Sequence, residues 1–284
     1  MWIWLTLASA FLLGIYDIAK KQAVKKNSVL YVLLFATGFS TLLLSPFLSA
    51  GSLSDHLYLL LKAALVTASW ISGLIGIKLL PITTSSTIKA SRPVFVLVFS
   101  ITLFGERLNF LQLAGIIVAI LALYMLSRSS KKEGIEFKHN TGFTCMCISV
   151  LTGSASALYD KHIMSSLGME PLFVQSWCNL YITILLGLTV LVWDVLLKKG
   201  TQKFKWDWML VLIAVMITCA DYFYFLALSK EGALLSVISM VRRCSVIVTF
   251  SGGALIFKEH NIRDKAIDLA VLLGAMALIV IGTA

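Results

Sequence analysis

Ten apolar runs, separated by short polar segments, dominate this 284-residue sequence. A helix needs about 20 apolar residues to cross the hydrocarbon core of a bilayer, and each run is close to that length. Hydrophobic residues make up 59% of the chain and charged residues 13%, whereas a soluble domain has about 25% charged residues. We therefore expect an all-α membrane protein with ten transmembrane helices. The predicted spans are residues 2–20, 29–49, 57–79, 82–104, 108–127, 141–162, 171–196, 208–229, 232–257 and 264–283.

The first run is expected to be a retained span rather than a signal peptide, because no basic segment precedes it and Asp17 interrupts it. The net charge of +10 is interpreted as membrane topology rather than as affinity for nucleic acid. The odd-numbered loops carry most of the lysines and arginines, including Lys20 and Lys21, whereas the even-numbered loops carry few, such as Lys62. This asymmetry predicts a multi-pass protein of the bacterial inner (plasma) membrane with both termini outside the cytoplasm.

Four basic residues lie inside two of the predicted spans. Lys89 and Arg92 belong to the fourth span, and Arg242 and Arg243 belong to the ninth. On insertion scales each mid-membrane cation costs roughly 2.5–3.5 kcal/mol, and such residues commonly mark substrate or ion pathways. The sequence thus predicts a central, positively charged cavity that a small anion can enter.

The two halves of the sequence repeat one another. Ser85 and Arg92 of the fourth span align with Ser236 and Arg243 of the ninth. Each half contributes five spans, and an odd number makes the second half cross the membrane in the opposite sense. We therefore expect an inverted repeat, which places a substrate site at the interface between the two units. The predicted units are residues 1–127 and 141–284, joined by a linker at 128–140.

Tyr16-Asp17 near the end of the first span matches Tyr159-Asp160 near the end of the sixth. Both aspartates are interpreted as lying close to a cytoplasmic span end. An interfacial ion pair, such as Asp17 with Lys21 at i,i+4, is one interpretation. A gating role at the inner mouth of the cavity is the other. The two tyrosines are gating candidates or members of the aromatic belt at the membrane surface.

Three motifs in the first half point to a known family. They are Arg92-Pro93-Val94-Phe95 in the fourth span, the turn Gly105-Glu106-Arg107-Leu108, and Gln112-Leu113-Ala114-Gly115 in the fifth span. Together they resemble the EamA-type repeat of the drug/metabolite transporter superfamily. The second half keeps only Glu259 and the apolar spacing. The resemblance implies a secondary transporter with a central cavity lined by spans three, four, eight and nine, and it implies cytoplasmic termini, contrary to the loop charges.

A narrower similarity concerns Arg242-Arg243, which resembles the basic pair that grips the substrate phosphate in sugar-phosphate translocators of the same superfamily. From the residues themselves, Ser85, Lys89 and Arg92 are spaced i, i+4, i+7 and share one helix face. Guanidinium groups bind phosphate and carboxylate bidentately, while lysine acts as a point charge. The predicted substrate-binding residues are Lys89, Arg92, Arg242, Arg243, Ser85, Ser236, Trp70 and Tyr222.

Internal pairing is the alternative to anion binding for these cations, with Asp221, Glu106 or Glu259 as partners, and snorkelling to an interface is a third possibility. Asp221 in the eighth span aligns with Trp70 in the third. A lone intramembrane carboxylate is a functional-site candidate, here as counter-ion or proton relay.

We find no motif for catalysis, metal binding or a cofactor, and the protein is not expected to be an enzyme. The leading hypothesis is a secondary transporter that moves a small anionic metabolite, such as one bearing phosphate, by alternating access. An EamA-type exporter of amino acids or drug-like compounds is the second. A non-transporting membrane scaffold or lipid-handling subunit is the third. The expected partners are a small-molecule substrate and the lipid bilayer, with no nucleic acid; a homodimer is left open.

Overall fold

The chain is helical in a computed structural model, and the residues it describes contain no strand. These residues are 2–92, 94–96, 99, 109–131, 139–163, 167–196, 204–228, 241–259 and 261–282. The α-helices among them are α1 Trp2–Ala23, α2 Val29–Leu44, α3 Leu53–Leu79, α4 Ile82–Ala90, α5 Phe110–Lys131, α6 Thr141–Lys161, α7 Pro171–Val190, α8 Met209–Leu228, α9 Ser245–Leu255 and α10 Ile262–Ile281. After α7 the chain continues in π-helical turns over Leu191–Leu196.

Local sequence signals explain where several helices begin. Ser52 and Asp55 form a capping box at the start of α3, in which each side chain accepts a hydrogen bond from the backbone N–H of the other. Ser28 and Asn140 cap α2 and α6, because their side-chain oxygens accept the backbone N–H three residues further on. Pro171 begins α7, where a missing N–H leaves no helical hydrogen bond unmade.

Six helices in the described residues are long and apolar enough to cross a membrane. They are Trp2–Ala23, Val29–Phe47, Leu53–Leu79, Phe110–Ser130, Thr141–Asp160 and Pro171–Trp193. The predicted fold class, an all-α integral membrane protein, is thereby confirmed, while the arrangement of ten spans stays a prediction. Helix α5 runs to Lys131 and so extends a few residues into the predicted linker.

The pattern of helix contacts is similar when each helix of the first half is exchanged for the helix at the same position in the second half. The most extensive contacts join α3 to α6 and α1 to α8, and these two pairs exchange when each helix is replaced by its counterpart in the other half. The contacts α3 with α7 and α2 with α8 exchange in the same way. The pairs α2 with α7, α4 with α9 and α5 with α10 each join a helix to its own counterpart.

Helix α4 contributes to one of the two largest apolar cores of the bundle. One core joins α1, α2, α3, α7 and α8, and the other joins α4, α5, α9 and α10. The side chains of residues 83–87 in α4 are threonine and serine, and all of them are buried. Small and hydroxyl-bearing side chains let helices approach closely in a membrane protein. Helix α4 therefore brings polar groups, followed by Lys89 and Arg92, into the middle of the bundle.

Candidate functional site

A network of charged side chains runs through the middle of the helix bundle; we call it the central cluster. Its members, among the described residues, are linked to one another by ion pairs or by electrostatic interaction. The central cluster consists of the cations Lys20, Lys62, Lys89, Arg92, Arg242 and Arg243 and the carboxylates Asp17, Asp160 and Asp221. Six cations face three carboxylates, so the cluster carries an excess of three formal positive charges.

Lys89 is paired with Asp17, which joins α4 to α1. The ammonium nitrogen Nζ of Lys89 donates to both carboxylate oxygens of Asp17, at 2.7 and 2.9 Å. Both side chains are largely enclosed, with exposed fractions of 27% and 13%. In such surroundings the charge of one partner stabilises the charge of the other. Either charge left alone would be costly to bury.

Two further ion pairs join other helices of the bundle. Lys62 of α3 bonds the carboxylate of Asp160 at the end of α6. Arg242, just before α9, donates a hydrogen bond to Asp221 of α8. The guanidinium carbon of Arg242 also lies 4.2 Å from the centre of the Tyr224 ring, within range of a cation–π interaction.

Arg92 and Arg243 have no carboxylate partner among the described residues. Arg92 makes only long contacts, from a terminal guanidinium nitrogen to Ser69 Oγ and to the carbonyl oxygen of Ser149, each at 3.4 Å. Its Nε is buried and makes no hydrogen bond with any described residue. Arg243 lies close enough to Arg92 and Arg242 for repulsion between the guanidinium groups. Two guanidinium groups that lack a carboxylate partner among the described residues therefore lie near each other inside the bundle.

Helix α6 leaves room for Arg92 because Gly153 has no side chain. A Cβ atom added at Gly153 would overlap the Arg92 guanidinium. The glycine thus lets the planar group lie directly against the backbone of α6.

The structure brings most of the predicted site residues together. Lys89, Arg92, Arg242 and Arg243 all join the central cluster, but Lys89 and Arg242 are paired internally, as the alternative interpretation predicted. Asp221 is the partner of Arg242, in agreement with the counter-ion interpretation. Their roles in transport stay predictions.

Four further hydroxyl and acidic residues were predicted as site members or as partners of the cations, and they differ in where they lie. Ser85 is buried in α4, and its hydroxyl makes no hydrogen bond with any described residue. Ser236 and Glu106 lie outside the described residues. Glu259 pairs with none of the four predicted cations in the described structure; its carboxylate instead accepts hydrogen bonds at the start of α4.

The prediction that Asp17 and Asp160 lie at the same, cytoplasmic end is wrong. Lys21, one turn beyond Asp17, donates to the carbonyl oxygen of Ile77 near the end of α3, whereas Asp160 pairs with Lys62 near the start of that helix. Fifteen residues of helix separate Lys62 from Ile77, a distance of about 22 Å. The physical reason is that α1 runs parallel to α3 while α6 runs antiparallel to it, so Asp17 and Asp160, each near the end of its own helix, lie toward opposite ends of α3.

The predicted pair between Asp17 and Lys21 is wrong as well. Asp17 bonds Lys89 from another helix, and Lys21 donates to the backbone carbonyls of Ile77 and Leu80. Because these carbonyls belong to the end of α3, where no helical N–H reaches them, a lysine there satisfies groups that would otherwise lack a partner.

The aromatic candidates lie in different surroundings. The Lys20 ammonium lies 4.0 Å from the centre of the Tyr16 ring and 5.1 Å from that of Trp70. Tyr159 packs against an apolar cluster at the Asp160 end of the bundle. Tyr222 is 47% exposed, and Tyr224, on the other side of α8, is the tyrosine that contacts Arg242. Gating by Tyr16 and Tyr159 and binding by Trp70 and Tyr222 stay predictions.

Sequence reasoning missed two cations of the central cluster, Lys20 and Lys62. Both were counted as loop charges, yet both are buried, with exposed fractions of 5% and 7%. The signal was present for Lys62, which lies inside the predicted span 57–79, whereas Lys20 is the last residue of the predicted span 2–20. In the described part of the chain no group of three or more His, Cys, Asp or Glu side chains is arranged to bind a metal.

Glu259 organises the start of α4, the helix that carries Lys89 and leads to Arg92. Its carboxylate oxygens accept the backbone N–H groups of Ile82 and Thr83 at 2.6 and 3.0 Å and the Thr83 hydroxyl at 2.6 Å. The buried ammonium of Lys265 also donates to the Thr83 hydroxyl, at 3.1 Å. A carboxylate is favourable at a helix N-terminus because the first N–H groups have no helical partner.

The comparisons with known proteins agree with this fold. Residues 1–128 match the model of the EamA-like transporter family. No curated protein matches the chain. Among solved structures, one crystal structure of a protein superimposes with a TM-score of 0.58 and 15% sequence identity, over 95% of this chain and 96% of that chain. At that identity the likeness shows the fold alone.

The match coincides with the half of the sequence that carries the Pro-Val-Phe and Gly-Glu-Arg-Leu motifs. The resemblance predicted from those motifs is confirmed there, and the membrane-spanning helices agree with it. The protein is an integral membrane protein whose first 128 residues match the EamA-like transporter family.

Proposed function

We propose that this protein is a secondary transporter for a small anionic metabolite, with a carboxylate or phosphate group as the feature it binds. The observation that carries the proposal is the pair Arg92 and Arg243, two guanidinium groups near each other in the bundle without a carboxylate partner among the described residues. An unpaired cation inside a membrane protein is costly. A bound anion would offset that cost and supply the missing hydrogen-bond acceptors.

The chemistry of the neighbouring groups suits an anion. Guanidinium groups bind carboxylate and phosphate oxygens in a planar, bidentate geometry. Ser85 is buried in α4, the helix that leads to Arg92, and its hydroxyl makes no hydrogen bond with any described residue. A neutral amino acid or a cation would leave the excess positive charge of the central cluster uncompensated, which favours an anion over the exporter hypothesis.

Two five-helix repeats of opposite orientation form the proposed architecture. The exchange symmetry of the helix contacts supports it, as does the antiparallel course of α1 and α6. In secondary transporters built in this way the substrate site lies between the repeats, and access alternates as one repeat rocks against the other.

Ion pairs on either side of the arginines are proposed as the gates. Asp17 with Lys89 lies toward the end where α1 and α3 finish, and Lys62 with Asp160 lies toward the other end. When the cavity opens at one end, the ion pair at that end would break, while the ion pair at the opposite end stays formed. The gating candidates of the sequence, Asp17 and Asp160, thereby act at opposite mouths of the cavity rather than at the same one.

The loop charges favour an orientation with both termini outside the cytoplasm of a plasma membrane, and this orientation is part of the proposal. Fusion of a reporter that is active only in the cytoplasm to the C-terminus is a direct test. An inactive reporter supports the orientation. An active reporter would reverse the proposed orientation. It would also exchange the inner gate and the outer gate.

Flux measurements in proteoliposomes test the proposed function. Purified protein should exchange labelled mono- and dicarboxylates or phosphate monoesters across the membrane, and Arg243→Ala should lower that flux roughly ten- to hundredfold at low substrate concentration. Lys26→Gln, which removes an exposed cation outside the cluster, is the matched control and should transport normally. Movement of neutral or cationic solutes without anions would favour the exporter hypothesis, and no movement of any solute would favour a scaffold.

A further inference from the structure

An apolar groove lies between α1, α8 and the end of α9. It encloses about 260 Å³ and is almost entirely apolar. Its lining residues are Ile15, Ile18, Ala19 and Gln22 of α1, Met209 and Leu212 of α8, and Ile256 and Phe257 just after α9. Only hydrocarbon fits such a lining well, because a polar ligand would lose its hydrogen bonds there.

The groove opens away from the central cluster. Successive residues of a helix are about 100° apart, so Ile15 lies about 200° from Asp17 around α1, and Gln22 lies about 200° from Lys20. Asp17 and Lys20 belong to the central cluster, and the groove therefore faces the outside of the bundle. Ile256 on its rim is 61% exposed, as expected for a surface in contact with lipid.

A lysine lies at the polar end of this groove. The ammonium of Lys25 is 4.4 Å from the centre of the ring of Phe257, a lining residue. The neighbouring lysines are engaged elsewhere: Lys21 bonds the carbonyls at the end of α3, and Lys26 pairs with Asp207. Lys25 has no acidic partner among the described residues, so its charge is available to a ligand.

We propose that this groove binds an anionic phospholipid, with one acyl chain against α1 and α8 and the phosphate on Lys25. The charge at the mouth selects an anionic headgroup over a zwitterionic one, because each surface lysine contributes about 1 kcal/mol toward anionic lipid. The apolar lining selects a lipid over a free phosphate. The bound lipid bridges α1, α8 and the loop after α9, and so ties together the end of the bundle nearest to Asp17. This inference does not depend on which substrate the central cluster binds.

Thermal unfolding of the full chain in neutral detergent tests the proposal. Phosphatidylglycerol should raise the unfolding temperature more than phosphatidylcholine does, since a ligand that binds only the folded protein stabilises it by mass action. Lys25→Gln should weaken the binding of phosphatidylglycerol about fivefold, the equivalent of about 1 kcal/mol. Leu212→Trp, which fills the groove, should weaken the binding of both lipids.

The matched control is Lys78→Gln, which removes an exposed lysine at the same end of the bundle, outside the groove lining. It should bind phosphatidylglycerol like the unmodified protein. Equal stabilisation by the two lipids would overturn the proposal, and so would an equal loss in Lys25→Gln and Lys78→Gln. Glycerol phosphate, which has no acyl chain, is the probe for the headgroup alone. If glycerol phosphate stabilises the protein as much as phosphatidylglycerol does, the groove is a site for free phosphate, and the proposal is overturned. Because Lys25 is exposed, its substitution keeps the test valid even where Leu212→Trp does not fold.

Discussion

Removal of one partner from the pair between Lys89 and Asp17 should destabilise the protein far more than removal of both. In Asp17→Asn the ammonium of Lys89 loses a carboxylate that accepts two hydrogen bonds, at 2.7 and 2.9 Å. Breaking a fully buried pair costs about 3–5 kcal/mol. Because 27% of the Lys89 side chain is exposed, we expect a smaller loss of about 2–3 kcal/mol, at or below the lower edge of that range.

The double variant Asp17→Asn/Lys89→Met should recover most of this loss, since replacement of a buried pair by apolar groups is often neutral. Thermal unfolding in one detergent is the assay, and a loss of 2–3 kcal/mol corresponds to roughly 4–6 °C for a chain of this size. Lys26→Gln is the control: its pair with Asp207 spans 3.3 Å and Lys26 is 59% exposed, so the change should stay within about 1 kcal/mol.

Equal losses in Asp17→Asn and in the double variant would refute the reasoning, because they would mean that Asp17 matters for packing rather than for the charge of Lys89. If the pair is a gate, the double variant should also be stable yet lose coupled transport, whereas the control should keep both. A stable double variant with normal exchange would remove this pair from the gating proposal without affecting the stability argument.

Three further substitutions test other parts of the site. Glu259→Ala should cost about 2–3 kcal/mol, the scale of hydrogen bonds to a charged group, and Glu259→Asp should recover only part of it; chemical unfolding measures both. Gly153→Ala should displace Arg92 and lower anion affinity about tenfold while leaving expression and monodispersity unchanged, and normal affinity would show that the contact is dispensable. Asp221→Asn should free Arg242 and change the pH dependence or rate of anion flux; unaltered flux at every pH would make Asp221 a packing residue.

Much of the fold follows from properties of single segments. Apolar length predicts the membrane-spanning helices, and capping residues such as Ser52 and Asn140 mark their starts. The motifs of the first half predict the EamA-like match. The burial cost of a cation likewise identifies Lys89, Arg92 and the arginine pair without any structure, because that cost depends only on position within an apolar run.

The pairing of charges could not be predicted in the same way. Asp17 lies 72 residues from Lys89 and bonds it only because α1 and α4 pack together at that level. A local rule, the i,i+4 spacing, pointed instead to Lys21. Lys62 was misassigned for a related reason. It lies near the start of a span and was taken as a loop charge. Its partner Asp160 comes from a different helix, α6, which runs antiparallel to α3.

The affinity of the purified protein for an anion, measured with Arg92 and Arg243 replaced in turn, tests the central claim most directly. Loss of either guanidinium should weaken binding by about 1.5–3 kcal/mol, which is roughly a ten- to hundredfold change. Lysine at either position should restore little of the anion affinity, because an ammonium group lacks the planar, bidentate donor geometry of a guanidinium group. Arg242→Ala is the comparison and should lose less, since Arg242 is already paired with Asp221. If Arg92→Ala and Arg243→Ala both fold and bind the anion like the unmodified protein, the central cluster is not the substrate site.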